Sequence, residues 1–212
     1  MQTPHRHLLA IAATTALAAL TCATSPSFAQ GSAAPATTPA AAPDFVQRDI
    51  NQEQRIEQGL KSGQLNTREA ARLEGEQAHV DKLEAKALAD GKVSASERAR
   101  INAAQNRTSA DIAREKHDAQ KGNPDSASSQ RMQADVQRNI NQQQRIQQGM
   151  ASGQLTHHEA AKLEAGQARV ARKEARAGRD GHVGAGEQAG VQTAENVQSR
   201  RIHREKHDGV TK

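Results

Sequence analysis

One internal repeat governs what this chain can fold into. Residues 46–118 align without a gap with residues 136–208, at a shift of 90, and 41 of the 73 aligned pairs are identical. V-Q-R-D-I-N-Q-E-Q-R-I-E-Q-G returns as V-Q-R-N-I-N-Q-Q-Q-R-I-Q-Q-G, S-G-Q-L-N-T-R-E-A-A-R-L-E as S-G-Q-L-T-H-H-E-A-A-K-L-E, and the terminal R-E-K-H-D is unchanged. Self-similarity at this period marks two copies of one supersecondary unit.

That unit is helical. All six prolines lie outside both copies, as uninterrupted helices require. The patterning predicts three helices in copy one, over 44–61, 67–89 and 95–118, with Asp44 as the first cap. Gly63 and Gly91 are placed to stop the first two helices in the left-handed conformation. Ser94-x-x-Glu97 and Thr156-x-x-Glu159 fit the capping box. The middle helix carries a coiled-coil-like seam: Ala70, Leu73, Gln77, Val80, Glu84 and Ala87, with Ala160, Leu163, Gln167, Val170, Glu174 and Ala177 as twins. Ile101, Gln105, Thr108 and Ile112 give the third helix a weaker stripe. The expected fold is all-α: a tandem duplication of an up-down-up three-helix unit, joined by a flexible linker. Copy two carries Lys173 for Leu83, Gly178 for Leu88, and Gly184, Gly186 and Gly190 in its third helix. Each interior glycine costs about 1 kcal/mol relative to alanine, so that helix is expected to be frayed, shortened or dependent on a partner.

The segments outside the repeats divide the rest of the chain. Residues 1–29 read as a signal peptide: a polar start (His5, Arg6, His7), an apolar run over Leu8–Leu20, and small residues in Ser27-Phe28-Ala29. Residues 30–43 are an Ala/Pro/Thr tether expected to be disordered. Repeat 1 occupies 44–118, a Ser-rich linker 119–134, repeat 2 135–208, and a tail 209–212. The expected location is the periplasm or exterior of a Gram-negative bacterium. A lipoprotein anchored through Cys22 is disfavoured because Thr21 precedes it. Cleavage would leave no cysteine, so neither a disulfide nor a thiolate site is available. It would also leave no segment able to span a bilayer.

Composition narrows the function. Leu, Ile, Val and Phe supply 24 of the 183 residues after the leader, below the roughly 20% at which chains tend toward disorder. A large aliphatic core is therefore not expected. The formal charge of +5 comes from interleaved signs, which favours solubility over a nucleic-acid footprint. Stacking aromatics are absent as well. No nucleophile–base pair, phosphate loop or metal triad supports an enzyme.

Two patterns could hold a metal. D-G-x-V-x-x-x-E resembles the second half of an EF-hand loop, with Asp90 and Glu97, and their twins Asp180 and Glu187, as carboxylates. Lys86 and Leu88, and Arg176 and Gly178, stand where such a loop needs oxygen donors. His203 and His207 are four apart on one helix, with Asp208 adjoining, a spacing that can hold zinc or copper. His207 near a helix end has a plain alternative role in compensating the dipole.

The combined pattern S-G-x-L-x-x-x-E-A, D-G-x-V-x-x-x-E and N-x-x-S-x-x-I-x-x-x-K-H-D runs over Ser62–Ala70, Asp90–Glu97 and Asn106–Asp118, with twins 90 residues on. It resembles a family of small exported bacterial proteins without an assigned activity, which implies export and helical architecture. A looser likeness to stress-induced periplasmic chaperones rests on Leu155-Thr156. The function expected is that of a non-enzymatic, exported helical interaction or structural module. Its seam (Leu73, Gln77, Val80, Glu84, Leu163, Gln167, Val170, Glu174) would meet a protein partner or a second copy, with no cofactor. The alternative is a metal-responsive or metal-buffering protein that uses a divalent metal at the turns or histidines.

Overall fold

The computed structural model describes residues 44–208. The leader, the tether and the tail at 209–212 lie outside the described residues. Among the described residues six helices follow one another: α1 Asp44–Lys61, α2 Thr67–Leu88, α3 Ala95–His117, α4 Ala127–Ala151, α5 His157–Ala177 and α6 Ala185–His207. Their ends have local causes. Asn66, Ser94 and Thr156 cap α2, α3 and α5, each in a reciprocal box with Glu69, Glu97 or Glu159. Gly63 and Gly91 take φ of +69° and +82°, a backbone region that side chains disfavour.

The two copies do not stand side by side as beads. The most extensive helix pairings are α2 with α5 and α1 with α4, both between copies. Both pairs run antiparallel, because each aliphatic cluster joins the end of one helix to the start of its partner. One cluster contains Leu60, Leu73 and Ile112 together with Met132, Ile140 and Val191. The other contains Val46, Leu88 and Ile101 together with Ile146, Leu163 and Ile202. Each half of the apolar interior is thus made by both copies.

One expectation is corrected and a second is narrowed. The flexible linker over 119–134 is wrong for its second half, because residues 127–134 form the first two turns of α4. Ser126 caps that helix by accepting from the Ser129 N–H at 3.2 Å, and Met132 anchors it in the core. A serine-rich stretch looked like a loop, although serine is equally a cap residue. The preceding residues are also held: the Gly122 N–H donates to the Gly63 carbonyl at 2.9 Å. A Cβ on Gly122 would lie 2.2 Å from the Leu65 carbonyl oxygen, so only glycine allows this approach.

The third helix of copy two is neither frayed nor shortened. At 23 residues, α6 equals α3. Gly184 has no side chain to cap with, but its N–H still donates to Glu187 Oε2 at 2.8 Å. Val191 and Ile202 are fully buried, and that packing outweighs propensity.

Gly178 is a requirement of packing rather than a defect. A Cβ there would lie 2.6 Å from Met132 Cε and 2.7 Å from Ala71 Cβ. Restoring the twin residue with Gly178→Leu is expected to lower stability by about 1–3 kcal/mol through overpacking, read as the urea midpoint. Helix propensity alone would give the opposite sign, so a stabilised variant would refute the close approach of α4 and α2 to this position.

Candidate functional site

Between the two aliphatic clusters the bundle buries a belt of acids and amides. On α2, Glu74, Gln77, Asp81 and Glu84 alternate at three and four residues and so share one face. Glu164, Gln167 and Glu174, at spacings of three and seven, share one face of α5, while Asp49 and Glu53 enter from α1. All of these side chains are buried, none more than 4% exposed. Three amides tie them together. Gln105 Nε2 donates to Asp49 Oδ1 at 2.7 Å and Glu84 Oε1 at 3.3 Å. Gln143 Nε2 donates to Glu164 Oε2 at 3.0 Å and Asp81 Oδ1 at 3.3 Å. Asn139 Nδ2 donates to Glu174 Oε2 at 2.7 Å and Glu74 Oε2 at 3.4 Å.

The seam expected to meet a partner therefore closes within the chain. Leu73, Gln77, Val80 and Glu84 are interior, as are Leu163, Gln167, Val170 and Glu174. The other copy occupies the place assigned to an outside partner. The polar seam positions, read as interruptions, belong to a continuous layer. Asp49, Glu53, Glu74, Asp81 and Glu164 were missed as site residues. The available signal was the spacing of Glu74 and Asp81 on the seam side of α2.

The belt lacks cations. Among the described residues, no ion pair reaches Asp49, Glu53, Glu74, Asp81, Glu84, Glu164 or Glu174, and the nearest case is Arg138 on Glu195 at 3.2 Å. Burial pushes Glu53, Glu164 and Glu174 up to about 8 and Asp49 to about 6. Burial, then the neighbouring Glu53 and Glu174, raises Glu74 well above the ordinary range. Asp81 and Glu84 rise likewise, by burial and then by Glu164 and Asp49 respectively. A carboxylate in a dry interior must be paired, protonated or bound to a cation.

The sequence-predicted metal residues serve other ends. Asp90 Oδ1 accepts from the Lys92 N–H and Asp180 Oδ1 from the His182 N–H, both at 2.9 Å, closing their turns. Glu97 Oε2 accepts from the Ser94 N–H at 2.9 Å, and Glu187 caps Gly184. None of these four belongs to a cluster of three potential ligands among the described residues. The His203 and His207 rings lie tilted by 33° with centroids 4.3 Å apart, and His207 Nδ1 meets the His203 carbonyl at 2.7 Å. His117 makes the same contact with the carbonyl of Ala113, so this contact needs only the helix end and no second imidazole. Asp208 gathers with Glu159 and Glu205, as Asp118 does with Glu69 and Glu115, where one helix ends against the start of another.

The bases lie outside. On α2, Arg68, Arg72, His79, Lys82 and Lys86 are exposed, and on α5 so are His158, Lys162, Arg169, Arg172 and Arg176, whereas neither helix has a fully exposed acid. Charges interleaved in sequence are separated in space, which removes the premise of a well-mixed surface. Along this face runs an open groove of about 710 Å³. It is lined by alanines (Ala85, Ala161, Ala165, Ala168) and by Lys82, Lys86, Lys162, Arg169 and Arg172, with Arg201 and one acid, Glu205, from α6. A second groove of about 400 Å³ is lined by Arg68, Ala71, Arg72, Gly75, Ala175 and Arg179. Each of these six residues is the 90-residue twin of a residue lining the first groove. The fold thus builds one basic groove lined by small residues twice.

Comparisons with protein-family models, curated proteins and solved structures find no match. Among the described residues, no helix is long and apolar enough to cross a membrane.

Proposed function

We propose that this chain is an exported, non-enzymatic binding module of the bacterial envelope whose basic α2–α5 face receives an acidic helical segment of another protein. The twofold groove carries the reading. Cations from both helices complement carboxylates flanking a helix, and an alanine lining admits a helix of small apolar residues at close approach. An acyl chain would call for an enclosed lining of large aliphatic residues, and single-stranded nucleic acid would gain no stacking from this face. A second copy does not fit. The exposed acids among the described residues (Asp44, Asp90, Asp125, Asp180, Glu187 and Asp208) stand at turns and helix ends. The leader-like residues 1–29 support export.

The test is titration with a synthetic Glu/Ala-rich helical peptide, followed by fluorescence anisotropy. Saturable binding that weakens with salt is expected, with a loss of at least about tenfold in the doubly charge-reversed Lys162→Glu/Arg169→Glu variant. No binding, or equal binding of duplex DNA or phosphatidylglycerol vesicles, would overturn the reading.

A further inference from the structure

We infer that Asp49, Asp81 and Glu84, with Glu164 beside them, form an interior site for one hard divalent cation, with Ca²⁺ as the probe. Each of the three offers a carboxylate oxygen lying within 4.8 Å of the others. Oxygens that close together can all ligate a single divalent ion. Every donor is oxygen, which selects hard ions over zinc or copper.

The neighbourhood points to a ligand independently of the cluster. Glu164 is fully buried and shares the Gln143 amide with Asp81, yet its Oε1 has no hydrogen-bond partner. The side-chain oxygens of Gln143 and Gln105 are likewise buried without a donor, beside Asp81 and beside Asp49 and Glu84. These groups supply further neutral and anionic oxygens where, among the described residues, no protein cation forms an ion pair and only Arg48 acts on Asp49; one divalent ion would neutralise two of the charges. The repeat contains its own control. At the twin positions of Asp49, Asp81 and Glu84 stand Asn139, Ala171 and Glu174. Two of the three carboxylates are missing there, so the site exists once per chain.

The experiment uses the full chain, treated with EDTA and refolded from urea at pH 7.5 so that a cation can enter the interior. Ca²⁺ alone and Mn²⁺ alone are the probes, read by calorimetry, Mn²⁺ paramagnetic resonance and the melting midpoint. One ion per chain is expected, with a raised midpoint and release of protons. Asp81→Ala and Asp49→Asn, which install residues the twin site already tolerates, should each weaken binding by about tenfold or more. Glu174→Gln, in the same belt outside the triad, should retain it. Circular dichroism of each metal-free variant separates loss of ligand from loss of fold. Absence of saturable binding at about 1 mM Ca²⁺, the weak end of protein calcium sites, would overturn the inference. So would undiminished binding in the well-folded Asp81→Ala variant, or loss of binding on replacing Asp90 and Glu97.

Discussion

In EDTA, the melting midpoint of this protein is expected to fall as pH rises from about 4.5 to 8, the reverse of ordinary acid denaturation. Glu53, Glu164 and Glu174 titrate near 8 in the fold against an ordinary 4.5, with burial as the first cause. A carboxyl group whose folded value is raised contributes stability that is fully present below the unfolded value. That stability is lost as pH climbs through the folded value. Between 4.5 and 8 the folded chain keeps protons that the unfolded chain releases. Each such proton costs about 1.4 kcal/mol per pH unit. The groups facing one another are Glu53 from α1, Glu74 from α2, and Glu174 from α5 with Asp135 behind it, so no base from any packed helix reverses the sign. Glu74→Gln removes the central charge while keeping the shape. It should flatten the pH dependence, raise the midpoint at pH 8 and change little at pH 4.5. A midpoint that is constant or rising between pH 5 and 8 would show that water or counter-ions reach the belt.

Dividing the chain between the copies is expected to abolish cooperative melting of either half as a monomer. Residues 44–118 alone would keep Leu60, Leu73 and Ile112 but lose Met132, Ile140 and Val191 from the same cluster. At the other end they would lose Ile146, Leu163 and Ile202. Each uncovered large aliphatic side chain forfeits about 1.5–3 kcal/mol of burial, and the total marginal stability of a domain is only about 5–15 kcal/mol. Equimolar mixing of 44–118 with 119–208 should restore a single transition whose midpoint rises with concentration. Two halves that each melt cooperatively at micromolar concentration without self-associating would mean the copies are autonomous.

The helices themselves were legible because their causes are local. Proline placement, the capping glutamates at Glu69, Glu97 and Glu159, and the glycines at 63 and 91 act within one or two turns, and the helices end where those residues stand. The seam residues share one face of each helix, since helical spacing puts them together whatever they touch. Their partner was not legible. A seam with Gln77 and Glu84 in it suits a second chain, a second copy or the other half of the same chain equally well.

The sequence by itself determined an all-helical fold with its caps and breaks, because those follow from neighbours along the backbone. Only the tertiary structure decided that the two copies interlock. That decision took the acids of α2 and α5 inward and left their bases outside. It also made Gly178 a packing requirement and turned Ser126 into the cap of a helix. Burial decides whether a carboxylate is a solvated surface charge or a proton or cation site, and burial depends on which helices meet.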